Sequence, residues 1–255
     1  MTDGTEKASG SVCRFFERVK ERDRVGVWGF GNVSKDVVLT LLESGLGKEI
    51  VFYGRPKENY PNRAGAWVDD LRANSIRRPR ILGTNDVEDM AGLDVIFVGV
   101  GVPRKKGQNR SDLLAINADV LAGTAMEIRG LYEGCASNDL PILVFMGNPI
   151  TAVTWVGYKA TGFPRQNIMG QAGNLDSRRI CHAVAQELGL SGNDMDGIVF
   201  GEHGDSMVAG PRFFSVGGIP LIDFMAAEGT DPARIQAIMD EAKKGGTHFV
   251  NEVGQ

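Results

Sequence analysis

The segment 24–45, which reads RVGVWGFGNVSKDVVLTLLESG, constrains the fold of this chain more than any other stretch. It opens with a short apolar run of strand length that leads directly into the glycine-rich turn 29–34. Valines and leucines then recur at helical spacing until Gly45 stops the pattern. The segment therefore predicts a strand, a tight turn and a helix in immediate succession, which is the first half of a βαβ unit.

The residues of this turn are typical of a dinucleotide-binding unit. In such a unit the first glycine permits the sharp turn, the second lets the backbone approach a pyrophosphate, and the helix amides face the anion. Ser34 occupies the third glycine position, and a residue this small still lets the helix pack near the strand. The alternative is a tight turn whose glycines serve backbone geometry alone, but the position between a strand and a helix favours dinucleotide binding. The candidate cofactor-binding residues are Gly29, Gly31, Asn32, Val33 and Ser34.

The end of the predicted second strand, 49–53, bears on the choice of cofactor. Gly54 lies twenty residues after Ser34 (54 − 34), about where a dinucleotide fold places an acid for the ribose 2′-hydroxyl. Here the acid is missing and Arg55 follows, and an arginine can pair bidentately with a 2′-phosphate. We therefore expect Gly54 and Arg55 to favour NADP over NAD, with Lys57 as a second cation. The alternative is that Arg55 is a solvated loop charge.

Strands and helices alternate along the first 149 residues, which is the pattern of a parallel sheet with helices on both faces. Apolar runs of strand length at 94–98 and 141–146 both end in glycine-rich turns. The expected fold class is α/β, a Rossmann-type doubly wound parallel sheet followed by an incomplete α+β substrate domain. The expected domains are an N-terminal extension at 1–23, the dinucleotide-binding domain at 24–149 and the substrate domain at 150–255.

The substrate domain is expected to contain fewer and shorter strands than the first domain. We predict helices at 176–188 and 231–253 and two short strands at 197–200 and 212–216.

The composition excludes several classes of partner. The chain has 28 Lys and Arg against 32 Asp and Glu, with both signs scattered, so we expect neither nucleic acid nor an acidic membrane as a partner. We find no secretory signal and no apolar run of membrane-spanning length. The three cysteines are far apart and lack metal-ligand spacing, which predicts reduced thiols, no bound metal and a cytoplasmic location.

His203 is the best candidate for proton transfer among the three histidines. It follows the apolar run 198–200 in a glycine-flanked segment, and imidazole has a pKa near neutrality without much adjustment. Asp176 is a plausible carboxylate partner that would fix the tautomer of His203. The alternative for His203 alone is a structural histidine.

Five motifs together are more informative than any one of them. They are the turn 29–34, VPRKKGQNR at 102–110, GNP at 147–149, LDSRR at 175–179 and GEHGDS at 201–206. Their order and intervals resemble those of the lactate/malate dehydrogenase family, over about residues 24–250. The pair of LDSRR and GEHGDS makes this resemblance highly specific.

The resemblance implies a role for each residue that matches a motif. His203 would move the proton of the substrate 2-hydroxyl, with Asp176 as its partner. Arg179 would hold the substrate C1 carboxylate, and Arg110 would polarise the reacting carbonyl from a loop that closes over the substrate.

Three further positions bear on substrate and cofactor. Arg104 lies six residues before Arg110 (110 − 104), where malate-specific members carry an arginine for the second carboxylate and lactate-specific members usually carry glutamine. Asn148 corresponds to an asparagine near the nicotinamide and substrate, and Asn117 to one lying along the cofactor. The resemblance implies a homo-oligomeric enzyme, a dimer or tetramer, that interconverts malate and oxaloacetate with NAD or NADP.

The sequence departs from the family pattern in two places. The acid after the second strand is replaced by Gly54 and Arg55, and the chain ends at Gln255, before the last strands and long helix of family members. We therefore expect an incomplete substrate domain, from either a fragment or a shortened protein. Two alternatives stay open: a lactate or other 2-hydroxyacid dehydrogenase, and a dinucleotide-binding protein without turnover.

Overall fold

The computed structural model describes residues 24–74, 80–102, 110–204 and 206–244. The described residues form two compact units. The first contains the described parts of 24–102, together with 114–148 and 152–170, and the second contains 110–113, 149–151 and the described residues beyond 170. In these ranges, no helix has both the length and the apolar character that crossing a membrane requires.

A six-stranded parallel sheet forms the centre of the first unit, with the strand order β3-β2-β1-β4-β5-β6. Because the order reverses between β1 and β4, the carboxyl ends of these two strands flank the place where such folds bind ligands. This order confirms the predicted Rossmann-type sheet. The strands are β1 (Arg24–Trp28), β2 (Glu49–Tyr53), β3 (Ile81–Thr84), β4 (Val95–Val98), β5 (Ile142–Phe145) and β6 (Ile168–Gly170).

In the described ranges, four α-helices accompany this sheet: α1 (Asn32–Ser44), α2 (Arg63–Asn74), α3 (Arg110–Leu131) and α4 (Ile150–Thr161). Buried apolar side chains of β1 and β2 pack with those of α1 and α2 in one core cluster, which includes Val27, Val38, Phe52 and Val68. Helix α1 ends at the residue that the sequence predicts, because Gly45 adopts the left-handed conformation with φ of 67°. This packing holds the start of α1, which follows the glycine-rich turn, against the sheet.

The sheet extends past residue 149, the predicted end of the first domain. Strand β6 pairs in parallel with β5, through Leu143 opposite Ile168. Just before β6, the buried Asn167 donates from Nδ2 to the carbonyls of Leu140 and Pro141 at 3.0 Å each. The three residues of β6 are not buried, whereas β4 and β5 each have four apolar residues that are mostly buried. The short strand β6 therefore lacks the buried apolar run that marks its neighbours. The first unit therefore continues through Gly170.

The described part of the second unit combines three α-helices with a small antiparallel sheet of strand order β7-β8-β9. Its elements are α5 (Gly173–Glu187), β7 (Met195–Gly197), β8 (Phe214–Val216), β9 (Ile219–Pro220), α6 (Leu221–Glu228) and α7 (Pro232–Ala242). Ile180 and Val184 of α5 are buried with Phe214 of β8 and with Ile235 of α7 in one core cluster. Helix α7 ends at Ala242, and the later part of the helix predicted to Val253 lies outside the described residues.

Candidate active site

The turn between β1 and α1 needs glycine at its first position. Gly29 has φ of 115°, a conformation that side-chain-bearing residues rarely adopt, and a Cβ there would lie 2.9 Å from the carbonyl oxygen of Gly99. Its amide donates to the carbonyl of Tyr53 at 3.0 Å, while the amide of Gly99 donates to Trp28 at 2.9 Å. The turn is therefore held against the ends of both neighbouring strands.

The start of α1 has the features of an anion-binding helix end. Gly31 is the N-cap residue, no side chain caps the helix, and no acidic residue lies in the first turn. The first amides of a helix have no acceptor within it, and they carry partial positive charge. A Cβ at Gly31 would meet nothing within 4 Å, so the backbone is open to close approach. The exposed residues Gly31, Asn32 and Val33 thus fit the pyrophosphate of a dinucleotide.

Ser34 fills the third small position of the turn. Its side chain is fully buried, and its Oγ lies 3.4 Å from the carbonyl oxygen of Gly99 at the end of β4. A Cβ added at Gly99 would overlap with this hydroxyl. A serine is accommodated here because the facing residue has no side chain.

The end of β2 has no space for an acidic side chain at position 54 without a shift of its neighbours. Gly54 is buried, and a Cβ there would lie 3.2 Å from the Cβ of Ala64 and 3.3 Å from the Cβ of Phe30. The amide of Gly54 donates to the carbonyl of Thr84 at 3.0 Å, which extends the β2–β3 pairing. The tight packing around Gly54 is therefore consistent with the absence of an acidic residue at this position.

Arg55 is exposed but not simply solvated. Its Nη2 lies 2.7 Å from both carboxylate oxygens of Glu127 on α3, and its carbonyl accepts from Arg63 Nη2 at 3.2 Å. Burial raises the pKa of Tyr53, and the Arg55 guanidinium opposes that rise. Lys57 is exposed in the following turn, where its backbone pairs with Tyr60.

Asn117 joins the segments that follow β4 and β5. Its Oδ1 accepts from the amide of Val102 at 2.7 Å, and its Nδ2 donates to the carbonyl of Asn148 at 2.7 Å. The Asn117 side chain is buried, whereas Asn148 is exposed. The structure thus gives Asn117 a scaffolding contact in addition to the cofactor contact that the resemblance implies, and it fixes the backbone from which Asn148 projects.

Two of the expected substrate residues lie wholly or partly outside the described residues. Arg104 falls in the segment 103–109, which is not described, and Arg110 begins α3 without a described side chain. Their roles stay predictions.

A short contact joins His203 to Asp176 in the second unit. Asp176 lies in the first turn of α5, and its Oδ2 is 2.5 Å from Nδ1 of His203. The carboxylate side chain is only 5% exposed and the imidazole 19%. A carboxylate at Nδ1 holds a proton on that nitrogen, so Nε2 is the atom left for proton exchange with a bound molecule.

Arg179 lies on the other side of the same carboxylate. Its Nη1 is 3.4 Å from Oδ1 of Asp176, and its side chain is 30% exposed. The adjacent Arg178 has a different environment, because it donates to the carbonyls of Met195 and Gly192 and to the side chain of Asn193. Of these two neighbouring arginines, Arg179 is therefore the one that shares a carboxylate with His203.

Ser177 connects α5 to the segment that carries His203. Its buried Oγ donates to the carbonyl of Gly173 at 2.7 Å and accepts from the amide of Val199 at 3.1 Å. Beyond Val199, the backbones of Phe200 and Val208 bond to each other at 3.0 and 2.7 Å, which closes the loop around His203. The LDSRR motif thus supplies the partner of His203 and the anchor of its loop within two residues.

The sequence motifs do not predict the roles of two residues of the candidate site, Ser177 and Phe30. Ser177 lies inside a motif, four residues after Gly173, but its bond to Val199 spans 22 residues and has no local signal. Phe30 is bulky for the position between two glycines, and that size is the one signal that could have drawn attention to it.

In the described ranges, no three His, Cys, Asp or Glu side chains come together in a way that could hold a metal ion.

The comparisons with known proteins agree with this division of the chain. A family model described as the lactate/malate dehydrogenase NAD-binding domain matches residues 23–170, and one described as the lactate/malate dehydrogenase alpha/beta C-terminal domain matches residues 173–254. A malate dehydrogenase of Bacillus licheniformis is 34% identical over 237 residues, which are 92% of this chain and 72% of that protein.

Solved structures of malate and lactate dehydrogenases are also similar to this chain over most of its length. The malate dehydrogenase of Plasmodium falciparum is 27% identical, with a TM-score of 0.81 over 91% of this chain and 72% of that chain. A lactate dehydrogenase of Cryptosporidium parvum, complexed with lactic acid and nicotinamide adenine dinucleotide, is 26% identical. Its TM-score is 0.78 over 91% of this chain and 71% of that one.

Proposed function

This chain belongs to the lactate/malate dehydrogenase family, and from that premise we propose that it is a malate dehydrogenase. It would transfer hydride reversibly between a nicotinamide dinucleotide and C2 of malate or oxaloacetate. The observation that carries the proposal is the 2.5 Å contact between His203 and a nearly buried Asp176, with Arg179 on the same carboxylate. A protein that merely binds a dinucleotide needs none of these three residues.

The second unit would handle the proton and the substrate carboxylate. In the oxidation of malate, His203 takes the proton of the 2-hydroxyl on Nε2, and Asp176 stabilises the imidazolium that forms. In the reverse direction His203 returns this proton. This general acid-base catalysis by His203 is worth about 10²- to 10⁴-fold in rate. Arg179 pairs with the C1 carboxylate of the substrate.

The first unit would hold the cofactor, whose nicotinamide ring supplies the hydride chemistry when bound. The open amides at Gly31, Asn32 and Val33 would bind the pyrophosphate, and Gly29 and Ser34 keep the turn close to the sheet. Asn148 would lie near the nicotinamide. We propose NADP as the preferred cofactor, which is supported by Arg55 and by the tight packing around Gly54.

The substrate would be a dicarboxylate. Arg104 would bind the second carboxylate and Arg110 would polarise the carbonyl of oxaloacetate. The competing substrate class is lactate or another 2-hydroxy acid, since a similar lactate dehydrogenase binds lactic acid. Replacing Arg104 with glutamine would shift preference from oxaloacetate toward pyruvate if the assignment of Arg104 is right.

The test is the oxidation of NADPH and of NADH with oxaloacetate or pyruvate, for the parent chain, His203→Gln and His182→Gln. His182 is exposed on α5, so it is a matched control. We expect turnover of oxaloacetate in the parent and in His182→Gln, and a kcat about 10²- to 10⁴-fold lower in His203→Gln. Equal rates for both histidine variants would contradict the proposal. Cofactor binding without turnover in the parent would indicate a non-catalytic dinucleotide-binding protein.

We also propose a cytoplasmic location and a homo-oligomeric state, either a dimer or a tetramer, as the family resemblance implies. In the described ranges, Cys135 and Cys181 are free thiols that form no disulfide. Free thiols suit a reducing compartment. Light scattering of the purified chain measures the oligomeric state. A monomer over the working concentration range would contradict that part of the proposal.

A further inference from the structure

The ring of Phe30, the residue between the two turn glycines, contacts two cationic side chains. Nζ of Lys35 lies 4.5 Å from the centre of the ring, and Cζ of Arg63 lies 4.8 Å from it. The ring also stacks on Phe52 of β2, with the centroids 5.4 Å apart. Cations at these distances are attracted to the face of an aromatic ring. Phe30 therefore holds two charges from different helices beside the end of β2.

One of the two cations next to Phe30 contacts Arg55. Arg63 donates from Nη2 to the carbonyl of Arg55 at 3.2 Å, and its Nε is buried with no hydrogen-bond partner among the described residues. Lys35 and Arg63 form no ion pair with any residue in the described ranges, whereas Arg55 pairs with Glu127 through Nη2. Of these three positive side chains, Arg55 is therefore the one with an ion pair in the described ranges.

We propose that Phe30 is a specificity-determining residue for the cofactor. Its ring positions Lys35 and Arg63 beside Arg55, so that the three cations form a site for a phosphate monoester, the 2′-phosphate of NADP. This inference rests on the proposed function, because it assumes that the adenosine end of a nicotinamide dinucleotide lies at the end of β2. The inference adds Lys35 and Arg63, together with the ring that positions them, to the proposed role of Arg55 in binding the 2′-phosphate.

The charges of this cluster match such a ligand. Lys35, Arg55 and Arg63 carry three positive charges, and Glu127 removes one. A phosphate monoester carries about −1.5 to −2 at neutral pH. An arginine binds it through several donors in a fixed plane, while a lysine adds a point charge. Glu127 keeps Arg55 extended toward α3 and would compete with the phosphate for it.

Phe30 also disfavours the acidic residue that selects NAD. A Cβ at position 54 would lie 3.3 Å from both Cβ and Cδ2 of Phe30, which is closer than most Cβ contacts in proteins. An aspartate there would have to displace the ring that contacts the two cations. The same side chain therefore supports a phosphate site and crowds out the residue for the ribose 2′-hydroxyl.

The test compares two adenosine fragments, 2′,5′-ADP and 5′-AMP, which differ only by the 2′-phosphate, using calorimetric titration of the full chain. We expect the parent to bind 2′,5′-ADP more tightly. Phe30→Leu should weaken 2′,5′-ADP about three- to tenfold and leave 5′-AMP unchanged. The control is Trp155→Leu, because Trp155 also has a lysine, Lys159, 4.7 Å from its ring but on α4. Equal fragment affinities in the parent, or equal weakening of both fragments by Phe30→Leu, would overturn the proposal.

Two further variants keep the proposal falsifiable if Phe30→Leu does not fold. Lys35→Gln and Arg63→Gln should each weaken 2′,5′-ADP several-fold without changing 5′-AMP, and the absence of an effect in both would overturn the proposal. These titrations need no turnover. A parent chain that discriminates between the fragments but does not reduce oxaloacetate would contradict the proposed function and leave this inference standing.

Discussion

The hydroxyl of Ser34 and the backbone of Gly99 lie in contact where α1 meets the end of β4, with Oγ 3.4 Å from the Gly99 carbonyl oxygen. Ser34 is fully buried, and any side chain at position 99 would overlap its Oγ. The two positions are therefore coupled. A serine can replace the third small residue of the turn because the strand opposite ends in a glycine.

The first prediction follows from this contact. Gly99→Ala should lower the free energy of unfolding by about 1–3 kcal/mol, because the added methyl group overpacks a site that has no room. Ser34→Gly in the same chain should recover most of the loss. Urea denaturation of the parent, both single variants and the double variant measures the coupling.

A second glycine serves as the control for this series. Gly123 lies within α3, and a Cβ there would meet nothing within 4 Å. Gly123→Ala should leave the stability unchanged or raise it by up to about 1 kcal/mol. A double variant as unstable as Gly99→Ala would show that the strain lies elsewhere than in the contact with Ser34.

The second prediction concerns the carboxylate next to His203. Asp176→Asn should lower kcat for oxaloacetate about 10²- to 10⁴-fold, because an amide neither stabilises the imidazolium nor fixes the tautomer in the same way. The dissociation constant of the nicotinamide cofactor should not change, since Asp176 contacts His203 and Arg179 and is not among the residues proposed to bind the cofactor. Steady-state kinetics and cofactor titration measure the two effects.

Asp196 provides the matched control for Asp176. It is an exposed aspartate in β7 of the same unit, so Asp196→Asn should leave kcat within about twofold of the parent. A kcat for Asp176→Asn close to that of this control would show that the contact with His203 is structural.

The sequence predicts the sheet of the first unit where apolar runs are bounded by turns. Strands β1, β2, β4 and β5 have buried side chains on both faces and appear as continuous apolar segments. Strand β6 escapes prediction because its three residues are not buried and its pairing partner, β5, is more than twenty residues away. Such a strand is specified by pairing and by the bonds of Asn167, neither of which has a local pattern.

The motifs predict which residues belong to the candidate site, but they do not predict the contacts among these residues. His203, Asp176 and Arg179 can be named from LDSRR and GEHGDS alone. The ion pair of Arg55 with Glu127 joins residues 72 apart in the chain, so no spacing rule indicates it. The amide of Asn117 is similarly used by two loops that only the folded sheet brings together.

The third prediction tests the scaffolding contact of Asn117. Asn117→Ala should lower the free energy of unfolding by about 1–3 kcal/mol, because it leaves the Val102 amide and the Asn148 carbonyl without their partner. Hydrogen exchange at the Val102 amide should become faster. Asn117→Asp is the matched variant, since its carboxylate still accepts from Val102 but cannot donate to Asn148. Unchanged exchange at Val102 in Asn117→Ala would rule out the scaffolding contact.

The fourth prediction concerns a buried tyrosine outside the candidate site. The hydroxyl of Tyr132 accepts from the amide of Leu93 at 2.8 Å and donates to the carbonyl of Met90 at 3.0 Å. Tyr132→Phe keeps the ring but leaves both backbone groups buried and unpaired, so it should lower the free energy of unfolding by about 1–3 kcal/mol at neutral pH. Tyr60→Phe is the control, because Tyr60 is exposed and its hydroxyl should contribute little.

The pH dependence of this loss has a definite sign. Burial raises the pKa of Tyr132 to about 12, whereas an unfolded tyrosine titrates near 10. The folded state therefore holds the phenol proton more tightly, and its stabilising contribution is fully present below about pH 10 and is lost as the pH rises toward 12. The difference in stability between the parent and Tyr132→Phe should shrink over that interval, as measured by urea denaturation at pH 8, 10 and 11. A difference that stays constant with pH would show that the Tyr132 hydroxyl is no harder to ionise in the folded chain than in the unfolded one.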